Sequence, residues 1–468
     1  MKRVWMSVAL GLMLAGPAVA DDAHTPMVVW YALKAPYGDQ FGQMLKRYEA
    51  THPYLSVQPR NYIDSDALRQ ALATAPTLPD VALIDVSWQD QLIDRQKIVA
   101  VQDLMAGTGA MATIVAKVDT FTCLYNLSCR DGKLWTLPTF ATDTALVYNT
   151  DLFKAKGIKK PPVNWGDLVV DAKQLTDPAR GLWGFELPSN ADLGRLYSLM
   201  LWEMGADMLN AADQAQPVAA IPPSPPVLTA NPVPGPAPAA PATPAAGSTP
   251  AASPTPAASS TPAAGPTASP TPQKPAAERL VGFMTDLVYK YRVSPPTDDA
   301  DPSHYAMFLG SPETLLQAEN KGLPMMAAPF PINKIKVEHL TSYGFAVTRD
   351  AHDKSEAYQF AKWATDFEQS VAWTTSAPFL PANKQVTLSP QYFQFLTQHP
   401  GLRVFLREMN VGRLEPVVPH YRRILREIGD ALANALAQHE DVNAAALDIA
   451  VKTHYIQSQP QGSNGPAQ

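Results

Sequence analysis

Leu78-Pro79-Asp80-Val81-Ala82-Leu83-Ile84-Asp85-Val86-Ser87-Trp88 is the stretch on which the fold turns. Val81 to Val86 is a short apolar run, too short for an amphipathic helix, and it reads as a buried strand. Upstream, Met27 to Tyr31 and Leu55 to Pro59 read as two more strands. Between them lie helices, Asp39 to Glu49 with Phe41, Met44, Leu45 and Tyr48 on one face, and Ala67 to Ala75. This βαβαβ alternation predicts a parallel sheet with helices on both faces.

The same grammar continues downstream. Ala145 to Tyr148 reads as a strand, followed by a helix near Asp151 to Lys156. Tyr343 to Val347 is a strand and Glu356 to Thr365 a helix, and the alanine-rich stretch Tyr421 to His454 is helical. The chain is α/β with a helical end.

In open α/β sheets, ligands bind beyond the carboxyl ends of strands. The residues placed there are Trp30, Tyr31 and Lys34 after the first strand, Tyr62, Asp64, Ser65 and Asp66 after the second, and Asp85, Ser87 and Trp88 after the third. Trp30 and Tyr31 alternate across a strand, so only one can face a cleft. Aromatic faces beside short polar side chains suit a polyhydroxylated ligand: a ring stacks on the C–H face of a sugar while carboxylates accept from its hydroxyls.

Residues 1–20 read as a cleavable signal peptide: Lys2 and Arg3, the apolar run Val8 to Leu14, then Ala18-Val19-Ala20. No later run reaches about 18 apolar residues, and no cysteine follows the cleavage site to carry a lipid anchor. A periplasmic protein is expected. The net charge of −6 comes without a basic tract, which argues against nucleic acid or an anionic membrane as partner. Cys123 and Cys129 are the only cysteines. In an oxidising compartment they are expected to form a structural disulfide worth roughly 2 kcal/mol, two free thiols being the alternative. Their C-x5-C spacing, with no second Cys or His pair nearby, does not suit a metal or redox site.

Residues 217–275 are almost wholly Pro, Ala, Ser, Thr and Gly, with about twenty prolines. Such a stretch cannot bury enough apolar surface to offset its ordering entropy, so coil and polyproline II are the expected states. The flanks differ: Leu196 to Leu209 and Glu278 to Tyr291 read as buried helices. By composition alone the stretch is either a linker or an insertion. An insertion is tolerable, because each doubling of a loop costs only about 0.6 kcal/mol. Without the signal and this stretch roughly 390 residues remain, which favours two domains.

An ordered series of short motifs then resembles one family. It runs through Met44-Leu45-Lys46-Arg47-Tyr48-Glu49 with His52-Pro53; Leu78 to Trp88; Gly132-Lys133-Leu134-Trp135-Thr136-Leu137-Pro138; Leu146 to Phe153; Pro161-Pro162 with Trp165; Phe283 to Pro296; and Pro416 to Tyr421. The series is similar to the type-1, maltose-binding-like solute-binding proteins of ABC sugar importers, in particular the trehalose/maltose-binding and glycerol-3-phosphate-binding members. The resemblance spans nearly the whole mature chain except Gln216 to Lys274. It implies the two-lobe fold of periplasmic binding proteins, with a hinge between lobes. The first lobe would comprise residues 21–139 and 328–370, the second 140–327 and 371–468. Residues 217–275 become a disordered insertion in the second lobe.

The resemblance also implies site residues. Asp85 stands where relatives hold a hydroxyl acceptor, with Trp88 in the same loop, and Tyr31 and Asp64 join from the other strand ends. Phe140, with Thr142 or Asp143, occupies the first hinge crossing. Phe330 and Tyr343 stand where trehalose/maltose relatives carry tryptophans, and Thr341-Ser342 replaces their Gly-Gly. Phe379 resembles the tyrosine of a "G-Y-L-P" turn. Arg413 lies near an arginine of the glycerol-phosphate relatives, and His420 is a further second-lobe contact.

The implied function is capture of a sugar, an α-linked disaccharide such as trehalose or maltose foremost. A monomer would deliver it to a cognate ABC permease, with no cofactor and no catalysis. A polyol phosphate such as glycerol 3-phosphate is the alternative ligand. An exported glycan hydrolase using Asp64, Asp85 and Asp143 is a competing class, without a G-x-S-x-G or H-E-x-x-H motif to support it. An envelope scaffold built around the Pro/Ala stretch is another.

Overall fold

The computed structural model describes residues 24–105, 116–210, 274–297, 301–416 and 421–457. The signal segment and nearly all of the 217–275 stretch lie outside them. The first five elements follow the expected alternation: β1 (Thr25–Tyr31), α1 (Tyr37–Thr51), β2 (Leu55–Asn61), α2 (Ser65–Thr74) and β3 (Val81–Asp85). β1 pairs in parallel with both β2 and β3. α1 buries Phe41, Met44, Leu45 and Tyr48, the face its spacing predicts. Asp64 caps α2, accepting from the Ala67 N–H at 2.8 Å.

The next strand, β4 (Leu137–Asp143), belongs to the same sheet, and after Thr144 alone the chain enters β5 (Ala145–Asn149) of another. Pro138 argues against a central strand, since it has no N–H for the ladder. It is accommodated where the register shifts between Tyr343 and Gly344 of the neighbouring strand. The helices α3 (Trp165–Leu175), α4 (Asn190–Glu203) and α5 (Ala276–Thr285) follow. Then come β6 (Met307–Gly310), α6 (Pro312–Asn320) and β7 (Met325–Ala328). β6 and β7 flank β5, both antiparallel, in a three-stranded sheet.

The chain returns to the first sheet as β8 (Glu338–Val347), which lies antiparallel to both β3 and β4. After α7 (Lys354–Thr365), the two-residue β9 (Leu380–Pro381) adds to β4, and β10 (Gly412–Leu414) pairs with β8. The seven-stranded sheet runs β9-β4-β8-β3-β1-β2, with β10 on β8. Only its β2-β1-β3 half is the parallel sheet the alternation predicts. On the other side β8, arriving from the far sheet, is antiparallel to β3 and β4, and β9 to β4, while β10 runs parallel to β8. The C-terminal stretch forms two helices, α8 (Tyr421–Gln438) and α9 (Val442–Gln457).

One core holds residues from both sides of the Pro/Ala stretch. Leu196, Leu199 and Trp202 pack in the same cluster as Leu280, Met284 and Leu287, together with Ile424, Leu425 and Ile428 of α8. The stretch therefore interrupts one fold rather than joining two. α4 and α8 cross at glycine contacts. A Cβ on Gly194 would lie 1.9 Å from the Leu425 carbonyl oxygen, and one on Gly429 1.7 Å from that of Asn190. Only hydrogen fits at either position.

The expected disulfide is absent: Cys123 and Cys129 are free thiols. The helix Thr122–Leu127 ends before Cys129, which turns into a short strand, Cys129–Arg130. Cys123 packs in the cluster holding Ala141 and Leu340, whereas Cys129 packs in the one holding Leu134 and Phe345. The intervening turn thus aims the two sulfurs at different cores, and Cys129 meets the Tyr125 hydroxyl instead.

Candidate functional site

A cavity of about 340 Å³ opens beyond the carboxyl ends of β1, β2 and β3. Ala32 to Lys34, Ile63 to Ser65 and Asp85 form its near wall. Thr142 to Thr144 and His339, Thr341 and Tyr343 form the floor, where β4 and β8 run between the sheets. Arg195 of α4, Ser311 and Glu313 at the start of α6, and Glu415 with Arg422 of α8 form the far wall.

Six of the residues named from sequence meet here: Asp64, Asp85, Thr142, Asp143, Tyr343 and Phe379. Tyr343 lies opposite Asp85 in the β8–β3 ladder, so the ring and the carboxyl share one face of the sheet. Burial lifts the Asp85 carboxyl from the usual aspartate range to about 6, and the bond from the Ser87 N–H, 2.9 Å, works against that rise. Phe140 stacks under Phe379 with ring centroids 4.2 Å apart, and lies 4.9 Å from Tyr343. It supports the aromatic floor without lining the cavity.

Strand alternation separates Thr142 from Asp143. Thr142 pairs with Thr341 on the face shared with Tyr343, and Asp143 pairs with Leu340 on the opposite face. Asp143 borders the cavity, but both its carboxyl oxygens are buried and without a hydrogen-bond partner among the described residues. Burial, with Glu338 and Glu408 nearby, holds this carboxyl well above the ordinary range.

The remaining named residues sit elsewhere. Tyr31 packs edge-on to Phe41 at 4.6 Å inside the first core. Trp88 is buried with Trp30, Leu68 and Ile84, beneath the loop it belongs to. Phe330 is 1 % exposed and packs in the second core near Phe185. Arg413 is ion-paired with Asp207 and lies over the Trp202 ring. His420 lies outside the described residues.

The structure adds residues that sequence reasoning missed. Arg195 bonds Glu415 at 3.2 Å and Asp192 at 2.6 Å. Arg422 stands 3.9 Å from Asp66, bringing α8 up to the start of α2. His339 donates from Nε2 to the Arg195 carbonyl oxygen at 3.0 Å, since a carbonyl can only accept. Its Nδ1 is then a bare acceptor, buried and without a partner among the described residues. Burial lowers this imidazole to about 4, so it is neutral at pH 7. An arginine just ahead of the apolar run from Leu196 was the one available signal for Arg195.

Cavity, strand-end carboxyl and aromatic floor describe a binding site for a small polar molecule. Comparison with known sequences gives the family: the pattern of the bacterial extracellular solute-binding proteins matches residues 31–287, more than half the chain. The chain belongs to that family. A binding protein of Brucella abortus is 30 % identical over 203 residues, 42 % of this chain and 47 % of the relative. The chain spans about half the length of the curated relatives it matches.

Solved structures share the fold of this solute-binding protein at low identity. The sugar-binding protein MalE from Xanthomonas citri has a TM-score of 0.66 at 14 % identity, covering 93 % of this chain and 98 % of its own. The substrate-binding protein from Listeria monocytogenes in complex with cycloalternan has a TM-score of 0.65 at 16 %, covering 92 % and 98 %. UgpB from Mycobacterium tuberculosis, in complex with glycerophosphocholine, has a TM-score of 0.64 at 17 %, covering 92 % and 98 %. The fold is thus the two-lobe architecture of these proteins. Among the described residues of this solute-binding protein, no helix is long and apolar enough to cross a membrane.

Proposed function

We propose that this chain is the substrate-binding component of an ABC importer, exported to the periplasm, which captures an α-linked sugar between its lobes and presents it to a membrane permease. The observation that carries this reading is the Asp85–Tyr343 pair where the near wall of the cavity meets its floor. An acceptor carboxyl beside a ring face is the chemistry a sugar requires. A cavity of about 340 Å³ is the size of a small-ligand site, and trehalose or maltose is the unit it would hold. In this reading the hinge lies at the crossings between the sheets, among them Thr144 and the segment between β7 and β8. Ligand contacts from both walls would favour the closed state, which the permease would read. No bond need be made or broken.

A polyol phosphate is the second reading. It draws on the glycerophosphocholine-bound neighbour and on the two arginines in the cavity. Arg195 already meets two carboxylates and Arg422 stands 3.9 Å from Asp66, so phosphate would have to compete with carboxylates for both charges. The sugar is therefore favoured.

Titration calorimetry against mono- and disaccharides and glycerol phosphates tests the proposal. Disaccharide binding that weakens at least tenfold in both Asp85→Asn and Tyr343→Ala is expected. Failure of every polyhydroxylated compound to bind or to shift the melting temperature would overturn it.

A further inference from the structure

Two crossings between the sheets are tied to one carboxyl. Glu338 opens β8 and is 1 % exposed. Its Oε1 accepts from the Phe330 N–H at 3.0 Å, in the segment between β7 and β8. Its Oε2 accepts from the Thr144 hydroxyl at 3.3 Å, at the step from β4 to β5. Thr144 Oγ1 in turn accepts from the His339 N–H at 3.3 Å, and the Thr144 N–H donates to the His339 carbonyl oxygen at 3.2 Å. A change in the angle between these crossings has to stretch or break a bond to Glu338.

The groups around Glu338 are mostly acids. β4 brings Asp143, whose two carboxyl oxygens have no hydrogen-bond partner among the described residues. The helix Leu402–Glu408 brings the buried Glu408. α4 brings Glu203, which accepts from the Trp165 indole. Lys336 and Arg407 both bind Glu408, at 2.5 and 3.0 Å. Lys336 also draws Glu338 down, least of the influences on it. Arg413, beside His339 in the ladder and so on the opposite face, is bound to Asp207. The Cys123 thiol near Asp143 is raised by its own burial.

A charge in such surroundings is costly, and Glu338 answers by keeping its proton: burial pushes it up to about 8. The neutral acid preserves both bonds. Oε1 still accepts, and a hydroxyl at Oε2 can donate to Thr144 instead of accepting from it. The ionised form calls for water, which reaches it only where the packed crossings part. Ionisation of Glu338 and bending at the crossings are therefore linked.

We propose that Glu338 is a proton-operated pin of the interlobe hinge: protonated, it holds the two crossings at one angle, and ionised, it releases them into a hydrated, more bent arrangement. This rests on the hinge placement given above and not on the identity of the ligand. His339, Thr341 and Tyr343 line the cavity, and strand alternation turns Glu338 to the other face of β8. Glu338 is thus a positioning residue, acting through the crossings and not on the ligand.

The test measures the distance between the lobes in the ligand-free full chain. Spin labels sit on Lys46→Cys and Lys159→Cys, both exposed positions, in a chain that also carries Cys123→Ser and Cys129→Ser. Double electron–electron resonance reads the distances from about pH 6.5 to about pH 9, a range that spans the Glu338 titration. A second interlobe distance should gain at least about threefold in population across it, which a tenfold difference in proton affinity between the two arrangements more than supplies. Glu338→Gln keeps both bonds without titrating, and should hold the acid distribution throughout. Asp143→Asn and Glu203→Gln should retain the response. Thr144→Val removes one of the two bonds, and should show the second distance already at the acid end. A parent distribution that never changes, a response that persists in Glu338→Gln or is lost in Asp143→Asn, or a Thr144→Val chain that keeps the parent's acid distribution would overturn the pin. With no ligand present, the outcome is independent of the calorimetry that decides the sugar reading, and either can fail alone.

Discussion

Asp85 and Tyr343 face one another across the antiparallel ladder of β3 and β8, one ending the third strand of the chain and the other arriving from the far sheet. The pairing sets a carboxyl whose proton leaves near pH 6 beside a half-buried ring. An ionised carboxylate accepts hydroxyl hydrogen bonds more strongly than a neutral acid. Ligand affinity should therefore rise as pH increases through about 6 and fall below it. Titration calorimetry from pH 5 to pH 8 measures this, and Asp85→Asn should flatten the profile.

The crossing of α4 and α8 tolerates no Cβ at Gly194 or Gly429, because each would press on a backbone carbonyl rather than a side chain that can turn away. Gly194→Ala and Gly429→Ala should each destabilise the fold by at least about 3 kcal/mol. Urea denaturation gives the value. Gly322→Ala, at a turn with open space around it, supplies a control that loses only the cost of its positive φ.

Burial raises three further carboxyls above their ordinary range. Glu203 is pushed up to about 9, although the Trp165 indole donates to it at 2.7 Å. Glu338 is pushed up to about 8, and Asp143 beside it is also raised. In the folded state these groups keep protons that the unfolded chain releases near pH 4 to 4.5. The folded state binds more protons between those values, so stability should fall as pH rises across that window and level off above about 9. Denaturation midpoints from pH 6 to pH 9 test the slope. Glu203→Gln and Glu338→Gln should each remove one proton from it, about 1.4 kcal/mol per pH unit.

The two thiols should remain free in the folded protein. Alkylation under denaturing conditions without reductant should add two adducts to every chain. Reductant should leave the unfolding transition unmoved, whereas loss of a disulfide would lower stability by roughly 2 kcal/mol.

Much of the fold was legible because its signals are local. The apolar run Val81–Ile84 and the helical spacing of Phe41, Met44, Leu45 and Tyr48 depend only on near neighbours. β4 was not legible, since Pro138 contradicts a strand until the shifted register of β8 accommodates it. Within the site, Asp64, Asp85 and Tyr343 followed from strand ends and resemblance. Trp88 and Phe330 did not, because a large aromatic suits a core and a cleft equally well by composition, and both are buried under other residues.

By itself the sequence determined the alternation of strands and helices, the strand ends at which a ligand could sit, and the presence of a stretch too rich in proline and alanine to build a core. Periodicity and composition carry that information along the chain. Only the tertiary structure decided that this stretch interrupts one lobe, that Thr142 rather than the Asp143 carboxyl faces the cavity, and that Arg195, His339, Glu415 and Arg422 gather there. Those outcomes depend on register and on helix contacts such as Gly194 against Leu425, which join residues more than two hundred positions apart. No local pattern encodes them, because the partner that gives each side chain its surroundings comes from another part of the chain.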